Sequence, residues 1–156
     1  MFKNKWSLAI SMFLIGFLIS GILNSSLLVS GTTAKEQLSP SDHIKADQIK
    51  VYQDKIVLNV KNAQWARLAD TNSMDPVFDK EANVLQLIPE QASEIQEGDI
   101  ISYKDVDGTR IIHRVVFKGV DSQGIYFIVK GDNNPVSDPG KIRFEQIDRV
   151  LFGIIY

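Results

Sequence analysis

The chain has 156 residues, with 17 Lys and Arg against 19 Asp and Glu and a net charge of −2. This length favours one domain, and the slightly acidic balance without a basic stripe argues against a nucleic-acid partner. The absence of cysteine excludes disulfides, thiol catalysis and thiolate zinc sites, and two histidines are too few for a histidine-rich metal site. We therefore expect no metal and no cofactor.

The N-terminal segment differs from the rest of the chain in hydropathy. No charged side chain occurs from Trp6 to Ala34, and the segment contains the run SLAISMFLIGFLISGILNSSLLVS. As a helix, this run would span about 36 Å at about 1.5 Å per residue, which exceeds the roughly 30 Å hydrocarbon core of a bilayer. We predict that residues 1–30 form an N-terminal transmembrane anchor.

The charges beside this segment predict its orientation. Lys3 and Lys5 precede it, so the N-terminus is expected in the cytoplasm and the remaining chain outside a cell membrane that the protein crosses once. A cleaved secretory signal is the alternative, because SSLLVSG could offer a site to a processing enzyme. The apolar run is longer than the roughly 7 to 15 residues of such a signal, which favours a retained anchor.

A polar tether and a β-rich region follow the anchor. Residues 31–50, GTTAKEQLSPSDHIKADQIK, are predicted to form the tether, with a short helix near residues 41–50. Beyond them, short runs rich in β-branched and aromatic residues alternate with turn signals such as DVDGTR, GDNNP and SDPGK. The predicted strands are 55–60, 65–69, 83–88, 99–104, 109–117, 125–130 and 149–156. No long amphipathic helix is expected there, so residues 51–156 are predicted to form a mainly β domain.

Two side chains in this domain suggest nucleophilic catalysis. Ser73 in ADTNSMDPVF precedes Asp-Pro, which is typical of a turn or a helix cap, but a serine also acts as a nucleophile when a base takes its proton. His113 is a candidate base. Strand alternation predicts that it shares an apolar face with Ile111, Val115 and Phe117. A buried structural histidine is the alternative interpretation.

Two aspartates later in the chain are candidates for the third member of such a site. Asp132 in KGDNNP and Asp138 in SDPGK both lie in turn-like segments, where aspartate commonly has a structural role. Either one could nevertheless orient His113, giving a nucleophile, a base and a group that holds the base. The sequence leaves open which of the two it is.

Four motifs together resemble those of the type I signal peptidases, the S26 family. TNSMDP is similar to the family's Ser-x-Ser-Met-x-Pro box, and EIQEGDIISYK to the box in which Gly-Asp precedes an apolar strand. IIHRVV resembles the His-Arg-Val box, and KGDNNPVSDPG the Gly-Asp-Asn-Asn box. They stand in family order behind the predicted anchor, over about residues 66–156. Histidine replaces the lysine base of most bacterial members, so the resemblance is to the endoplasmic-reticulum and archaeal type, which also occurs in some bacteria.

The resemblance implies a role for each matched residue. Ser73 would be the nucleophile, His113 the base, Asp138 the aspartate that orients His113, and Asp132 a nearby supporting aspartate. The match also covers Met74 and Pro76, which would shape the turn that presents the nucleophile.

The first box departs from the family's usual Ser-Gly-Ser, because this chain reads Thr71-Asn72-Ser73. After glycine, asparagine is the residue that best tolerates a left-handed backbone, so Asn72 can replace the glycine. Thr71 keeps a hydroxyl that could help the Ser73 N–H hold an oxyanion. The departure affects the expected fit of the substrate, while the nucleophile keeps its position.

The implied function is removal of signal peptides from exported preproteins by a membrane-anchored serine endopeptidase using Ser-His(-Asp) acyl transfer. The implied fold is mainly β, with two small antiparallel sheets behind one transmembrane helix. Signal peptides and membrane lipid would be the partners, and no expectation arises about accessory subunits or a translocon. One alternative, a self-cleaving repressor, would need a helical DNA-binding domain, an Ala-Gly or Cys-Gly cleavage site upstream of the serine and a lysine base, and we recognise none of the three in the sequence. The other is a catalytically inactive, membrane-tethered β domain used for binding or scaffolding.

Overall fold

The computed structural model describes residues 36–156, so the predicted anchor and the first part of the predicted tether lie outside the described residues. The described chain contains eight β-strands, three short 3-10 helices and no α-helix. The strands are β1 (Ile49–Val51), β2 (Ile56–Leu58), β3 (Gln64–Arg67), β4 (Asn83–Leu87), β5 (Ile100–Lys104), β6 (Arg110–Asp121), β7 (Gly124–Lys130) and β8 (Ile147–Ile155). The 3-10 helices are Ala46–Gln48, Ala92–Glu94 and Phe144–Gln146. Within this part of the chain, no helix has the length and apolar character needed to cross a membrane.

The strands form two antiparallel sheets of unequal size. Strands β1 and β2 make a two-stranded ribbon, and the other six follow the order β3-β4-β8-β5-β6-β7. This confirms the prediction of a mainly β domain with two antiparallel sheets. Each of the seven predicted strands overlaps one of β2 to β8. Strand β1 was missed because its three residues, all exposed, lie among polar residues of the predicted tether.

Strand β5 lies between β6 and β8, and its residues enter two hydrophobic clusters. Ile101 and Tyr103 belong to the larger cluster, together with side chains of β6, β7 and β8. Ile100 belongs to the smaller cluster, which covers the opposite face and includes the turn that follows β3. Both faces of β5 are therefore covered, and Ile100 through Tyr103 are all buried.

A tight hairpin joins β5 to β6 at DVDGTR, as the sequence predicts. The Asp105 carboxylate accepts hydrogen bonds from the N–H groups of Asp107 (2.9 Å) and Thr109 (2.8 Å). Gly108 has a φ of +80°, a left-handed conformation that favours glycine. The hairpin sets a register in which His113 lies opposite Ile101 of β5.

The predicted apolar face of β6 holds only in the first part of the strand. Val115 is buried in the larger cluster, as expected, but Phe117 is 48% exposed. The pairing with β7 shifts between Val115 and Phe117. Such a bulge inserts one residue and changes the direction of the side chains that follow, so the prediction that Phe117 shares the face of His113 is wrong.

The described part of the predicted tether contacts the β domain through its backbone and through His43, whose Nε2 lies 3.1 Å from Oδ1 of Asp99. The Ser41 N–H donates to Oδ1 of Asp99 at 2.6 Å, and the Leu38 carbonyl accepts from Nη1 of Arg114 at 3.1 Å. A Cβ on Gly98 would lie only 2.3 Å from the Ser39 carbonyl oxygen. This close approach requires glycine at position 98, immediately before β5.

Candidate active site

Ser73 lies in the loop between β3 and β4, at the beginning of a tight turn. The Met74 carbonyl accepts hydrogen bonds from the N–H groups of Val77 (2.9 Å) and Phe78 (3.2 Å). Met74 and Phe78 are buried in the smaller hydrophobic cluster, whereas Ser73 is half-buried. The apolar side chains thus anchor the turn in the core while the serine stays accessible.

The residues before Ser73 bring a second hydroxyl to it. Asn72 has a φ of +55°, a left-handed backbone conformation that asparagine tolerates better than most residues. The Asp79 carboxylate accepts from the N–H groups of both Thr71 and Asn72 at 3.2 Å. The Thr71 Oγ1 lies 3.1 Å from the Ser73 Oγ and 3.4 Å from the Ser73 nitrogen. The Ser73 N–H thus donates to the Thr71 hydroxyl oxygen, and the same hydroxyl lies beside the serine oxygen.

A second loop, residues 131–134, holds the backbone of this turn. The Asn133 N–H donates to the Ser73 carbonyl at 3.0 Å, and the Asn133 side-chain amide donates to the Asn72 carbonyl at 3.0 Å. A Cβ on Gly131 would lie 2.6 Å from the Ser73 carbonyl oxygen, so only glycine permits the approach. The sequence predicted this segment as a loop but did not indicate its contact with Ser73.

His113 is buried, with 7% of its surface exposed, and its ring is held by one carboxylate. Its Nδ1 is hydrogen-bonded to Oδ2 of Asp138. An ionised carboxylate only accepts hydrogen bonds, so Nδ1 carries the proton and Nε2 of the neutral ring is left as an acceptor. The Asp138 N–H donates to the Val129 carbonyl at 2.8 Å, which ties the backbone of the aspartate to β7.

The same Asp138 oxygen has a second donor, the Tyr103 hydroxyl, at 2.7 Å. Burial, and then the neighbouring Asp138, raise the pKa of Tyr103. The hydroxyl therefore keeps its proton and remains a donor throughout the neutral pH range. Tyr103 was not selected from the sequence, although alternation in β5 places it on the same face as the buried Ile101.

Asp132 binds a different partner. Its two carboxylate oxygens accept from Nε and Nη2 of Arg114 at 2.8 and 2.7 Å. Arg114 also donates from Nη1 to the Gly98 carbonyl at 2.8 Å, and both side chains of the pair are almost fully buried. Of the two candidate aspartates, the structure thus brings Asp138 to His113 and Asp132 to Arg114. The Asp132 N–H donates a hydrogen bond to Met74 Sδ at 3.4 Å, which links the Arg114–Asp132 pair to the turn that follows Ser73.

Ser73 and His113 line one cavity of about 530 Å³, here called the Ser-His cavity. It lies between the segment that connects β3 to Ser73 and the first half of β6. Its apolar lining residues are Leu68, Ala69, Met74, Phe78, Ile111 and Ile112. The Ser-His cavity therefore brings together a half-buried serine and a histidine held by an aspartate, while among the described residues the hydrogen-bond partner of the Ser73 hydroxyl is Thr71 and not His113.

Comparison with known proteins finds similarity over part of the chain. Over 77 residues, the chain is 29% identical to Signal peptidase I W of Bacillus subtilis (strain 168), an alignment that covers 49% of this chain and 40% of that protein. A 37-residue alignment with an uncharacterized protein of Methanocaldococcus jannaschii is 49% identical and covers 24% of this chain and 18% of the relative. No family model matches the chain.

This chain is therefore similar, over about half its length, to a signal peptidase I. It spans well under two thirds of either relative. The similarity supports a relationship to type I signal peptidases, while membership of the endoplasmic-reticulum and archaeal type stays a prediction from His113.

Proposed function

We propose that the chain is a membrane-anchored serine endopeptidase that removes signal peptides from exported preproteins. The observation that carries the proposal is that Ser73 and His113 line one cavity while Asp138 holds the Nδ1 side of the imidazole. This arrangement leaves Nε2 for the serine proton, as in Ser-His-Asp hydrolases. The similarity to Signal peptidase I W supports the choice of signal peptides as substrates.

In the acylation step, the Ser73 Oγ attacks the carbonyl carbon of the last residue of the signal peptide. His113 Nε2 accepts the serine proton as the new C–O bond forms, and the Asp138 carboxylate stabilises the resulting imidazolium. The Ser73 N–H and the Thr71 hydroxyl stabilise the negative charge that develops on the carbonyl oxygen. The imidazolium then gives its proton to the leaving amine, the C–N bond breaks and an ester to Ser73 remains.

Water completes the reaction. His113 Nε2 takes a proton from a water molecule, whose oxygen attacks the ester carbonyl. The ester bond breaks, Ser73 recovers its proton from the imidazolium, and the signal peptide leaves as a carboxylic acid that loses its proton to the solvent. The proton transfers to and from Ser73, the leaving amine and the attacking water use His113, so this mechanism needs neither a metal nor a cofactor.

The remaining parts of the chain would bring the substrate to this site. Residues 1–30 would anchor the chain in the cell membrane, with the N-terminus in the cytoplasm and the β domain outside, close to signal peptides still held in the bilayer. The apolar Ser-His cavity would accept the small side chains of the last and third-last signal-peptide residues. Asp132 would act through Arg114 and the serine turn, as a positioning residue.

The proposal is tested with the full chain in lipid-detergent micelles and a model preprotein. Wild type should cut at the end of the signal peptide, as identified by mass spectrometry of the product. Ser73→Ala should lower the rate by roughly 10⁴-fold or more, as expected for a triad nucleophile. Ser122→Ala, which removes an exposed hydroxyl from the turn between β6 and β7, is the matched control and should cut normally.

Two results would contradict the proposal. Near-normal processing by a folded Ser73→Ala variant would exclude Ser73 as the nucleophile. Failure of wild type to cut any preprotein that it binds would favour the alternative of a catalytically inactive, membrane-tethered binding domain.

A further inference from the structure

A second cavity, of about 440 Å³, adjoins the Ser-His cavity. The two share Arg67, Arg110 and Ile112 as lining residues. At the second cavity, Gln86 and Ser102 are buried polar residues, and the Gln86 side-chain amide donates to Ser102 Oγ at 2.7 Å. This cavity, here called the arginine groove, is thus a polar continuation of an apolar site.

Positive charge accumulates around the arginine groove. Arg67, Arg110 and Arg149 line it, and Asp148 is the one acidic residue of its lining. Asp148 already has two cationic partners, because Arg110 Nε donates to it at 2.9 Å and Lys104 Nζ lies 3.7 Å away. Among the residues that the structure describes, Arg67 and Arg149 take part in no ion pair.

This accumulation contrasts with the charge of the domain around it. Residues 36–156 carry 14 Lys and Arg against 19 Asp and Glu, because three of the 17 cations, Lys3, Lys5 and Lys35, precede them. Cations without carboxylate partners, beside a cavity in an acidic domain, attract a negatively charged group. Guanidinium groups in particular bind carboxylates through paired hydrogen bonds.

The position of β3 indicates which molecule would bring that group. β3 is an edge strand of the six-stranded sheet and pairs only with β4. An extended peptide binds to such an edge through backbone hydrogen bonds. Residues 68–73 run from β3 to Ser73 along the Ser-His cavity, and Gln64 and Arg67 line the arginine groove. A peptide that follows this path passes both cavities, with every second side chain, roughly 7 Å apart, facing the same way.

We propose that the arginine groove is a subsite for an acidic side chain of the bound polypeptide, several residues from the scissile bond. The carboxylate would pair with Arg67 and Arg149. This inference rests on the proposed function, because it takes the substrate to be an extended polypeptide cut at Ser73. It adds a charge preference that the apolar Ser-His cavity does not supply.

Trp65 provides a direct readout of binding. The guanidinium carbon of Arg67 lies 5.6 Å from the centroid of the Trp65 ring, so a carboxylate on Arg67 would alter the fluorescence of this tryptophan. The chain has two tryptophans, Trp6 and Trp65, and Trp6→Phe leaves Trp65 as the single reporter. Adding Ser73→Ala prevents turnover, so the dissociation constant is measured without cleavage.

The experiment uses this full-chain double variant in uncharged micelles. It is titrated with pairs of peptides that differ only by Glu or Gln at one position, moved stepwise along both sides of the scissile bond. We expect the Glu peptide to bind more tightly at one position, by roughly threefold to tenfold at low salt, and the preference to weaken as salt is added. Equal binding of Glu and Gln peptides at every position would overturn the proposal.

Substitutions at the groove test which side chain is responsible. Arg149→Gln should abolish the preference and Arg149→Glu should reverse it, with Arg67→Gln as an independent variant if Arg149 substitutions impair folding. Lys141→Gln removes one exposed cation that lines neither cavity and should leave the preference unchanged. A preference that survives both Arg149→Glu and Arg67→Gln would exclude the groove.

The outcomes separate this inference from the proposed function. Tighter binding of Glu peptides, together with no cleavage by the wild-type chain, would support the acidic subsite and contradict the peptidase function. Normal cleavage without any preference for Glu peptides would support the peptidase function and contradict the acidic subsite. A third measurement adds anionic lipid to the micelles. A change in Trp65 fluorescence with that lipid, lost in Arg149→Glu and without any preference for Glu peptides, would show that the arginines bind a membrane surface instead.

Discussion

Each face of β6 carries one side chain that pairs with an aspartate of residues 132–138, and the two pairs differ in their chemistry. On one face, His113 pairs with Asp138. On the other face, the adjacent Arg114 pairs with Asp132. Arg114 carries a permanent charge, and the Arg114 and Asp132 side chains are almost fully buried, with 6% and 5% of their surface exposed. The histidine pair borders the Ser-His cavity, and its side chains are 9% and 12% exposed.

The difference shows how one short segment can serve both stability and catalysis. The arginine pair is a fixed charge contact that also holds the Gly98 and Leu38 carbonyls, so it ties together separate parts of the chain. The histidine pair leaves Nε2 free for chemistry. We therefore expect substitutions on the His113 face to act mainly on rate and its pH dependence, and those on the Arg114 face mainly on folding stability.

The largest expected effect on the histidine face is the loss of the base. His113→Ala should reduce kcat/KM on a signal-peptide substrate about as much as Ser73→Ala, by roughly 10⁴-fold or more. His113→Lys should not rescue activity, because lysine is longer and its amine must be desolvated to act as a base near neutral pH. His43→Gln, at the other histidine, is the control. Substantial activity in His113→Ala would point to Lys118 or Lys130 as the base.

Loss of the orienting carboxylate comes next. Asp138→Ala should lower kcat/KM by roughly 10³- to 10⁴-fold, because the imidazole loses the group that fixes its tautomer and orientation. The carboxylate also stabilises the protonated ring, and protonation stops the base. Without Asp138, the fall in rate on the acidic side should therefore move to lower pH.

The measurement for Asp138 is kcat/KM against pH for wild type, Asp138→Ala and Asp132→Ala. An Asp138→Ala profile equal to wild type, with Asp132→Ala inactive, would reverse our assignment of the two aspartates. A wild-type rate that does not fall anywhere from about pH 8 to pH 5 would contradict a histidine base.

The arginine face should respond in stability instead. Asp132→Ala leaves the buried Arg114 charge unpaired, and we expect it to lower the free energy of unfolding by about 3 to 5 kcal/mol. Below the unfolding temperature, the acidic side of its rate profile should stay where it is in wild type. Denaturant unfolding of Asp132→Ala and of the double variant with Arg114→Leu gives the test, since removing both charges should recover part of the loss. A shifted pH profile without a loss of stability would make Asp132 a partner of His113.

The smallest effect is expected from Tyr103→Phe, which removes one hydrogen bond to Asp138. The rate should fall by only about threefold to tenfold, the net cost of one ordinary hydrogen bond, because Asp138 keeps its bond to His113. The Asp138 carboxylate, relieved of its tyrosine donor, would hold the imidazolium more strongly. The pH below which kcat/KM falls should therefore be higher than in wild type, whereas in Asp138→Ala it should be lower.

Tyr126→Phe is the matched control for Tyr103, because the Tyr126 hydroxyl makes no hydrogen bond among the described residues. Its pH profile should equal that of wild type. A Tyr103→Phe profile that also equals wild type would mean that the tyrosine hydroxyl has only a structural role.

The sequence by itself predicted the features that depend on local chemistry and strand periodicity. Alternation along β6 placed His113 and Arg114 on opposite faces, and the Asp-Gly signal located the turn that sets their register with β5. The asparagine in TNSMDP is compatible with the left-handed backbone that the structure has at Asn72. Each of these depends on residues that are close in the chain, where steric and hydrogen-bonding rules apply directly.

The family resemblance implied that Asp138 would orient His113, but only the tertiary structure shows which side chain each aspartate contacts. Asp132 and Asp138 both lie in turn-like segments, and no periodicity relates such a segment to a strand some twenty residues earlier. The contacts of Tyr103 and Asn133 with the site arise in the same way, from the path of the chain after β7. The bulge that exposes Phe117 results from the mismatch between two paired strands. Contacts between distant residues depend on sheet register and loop path, which a local sequence pattern does not contain.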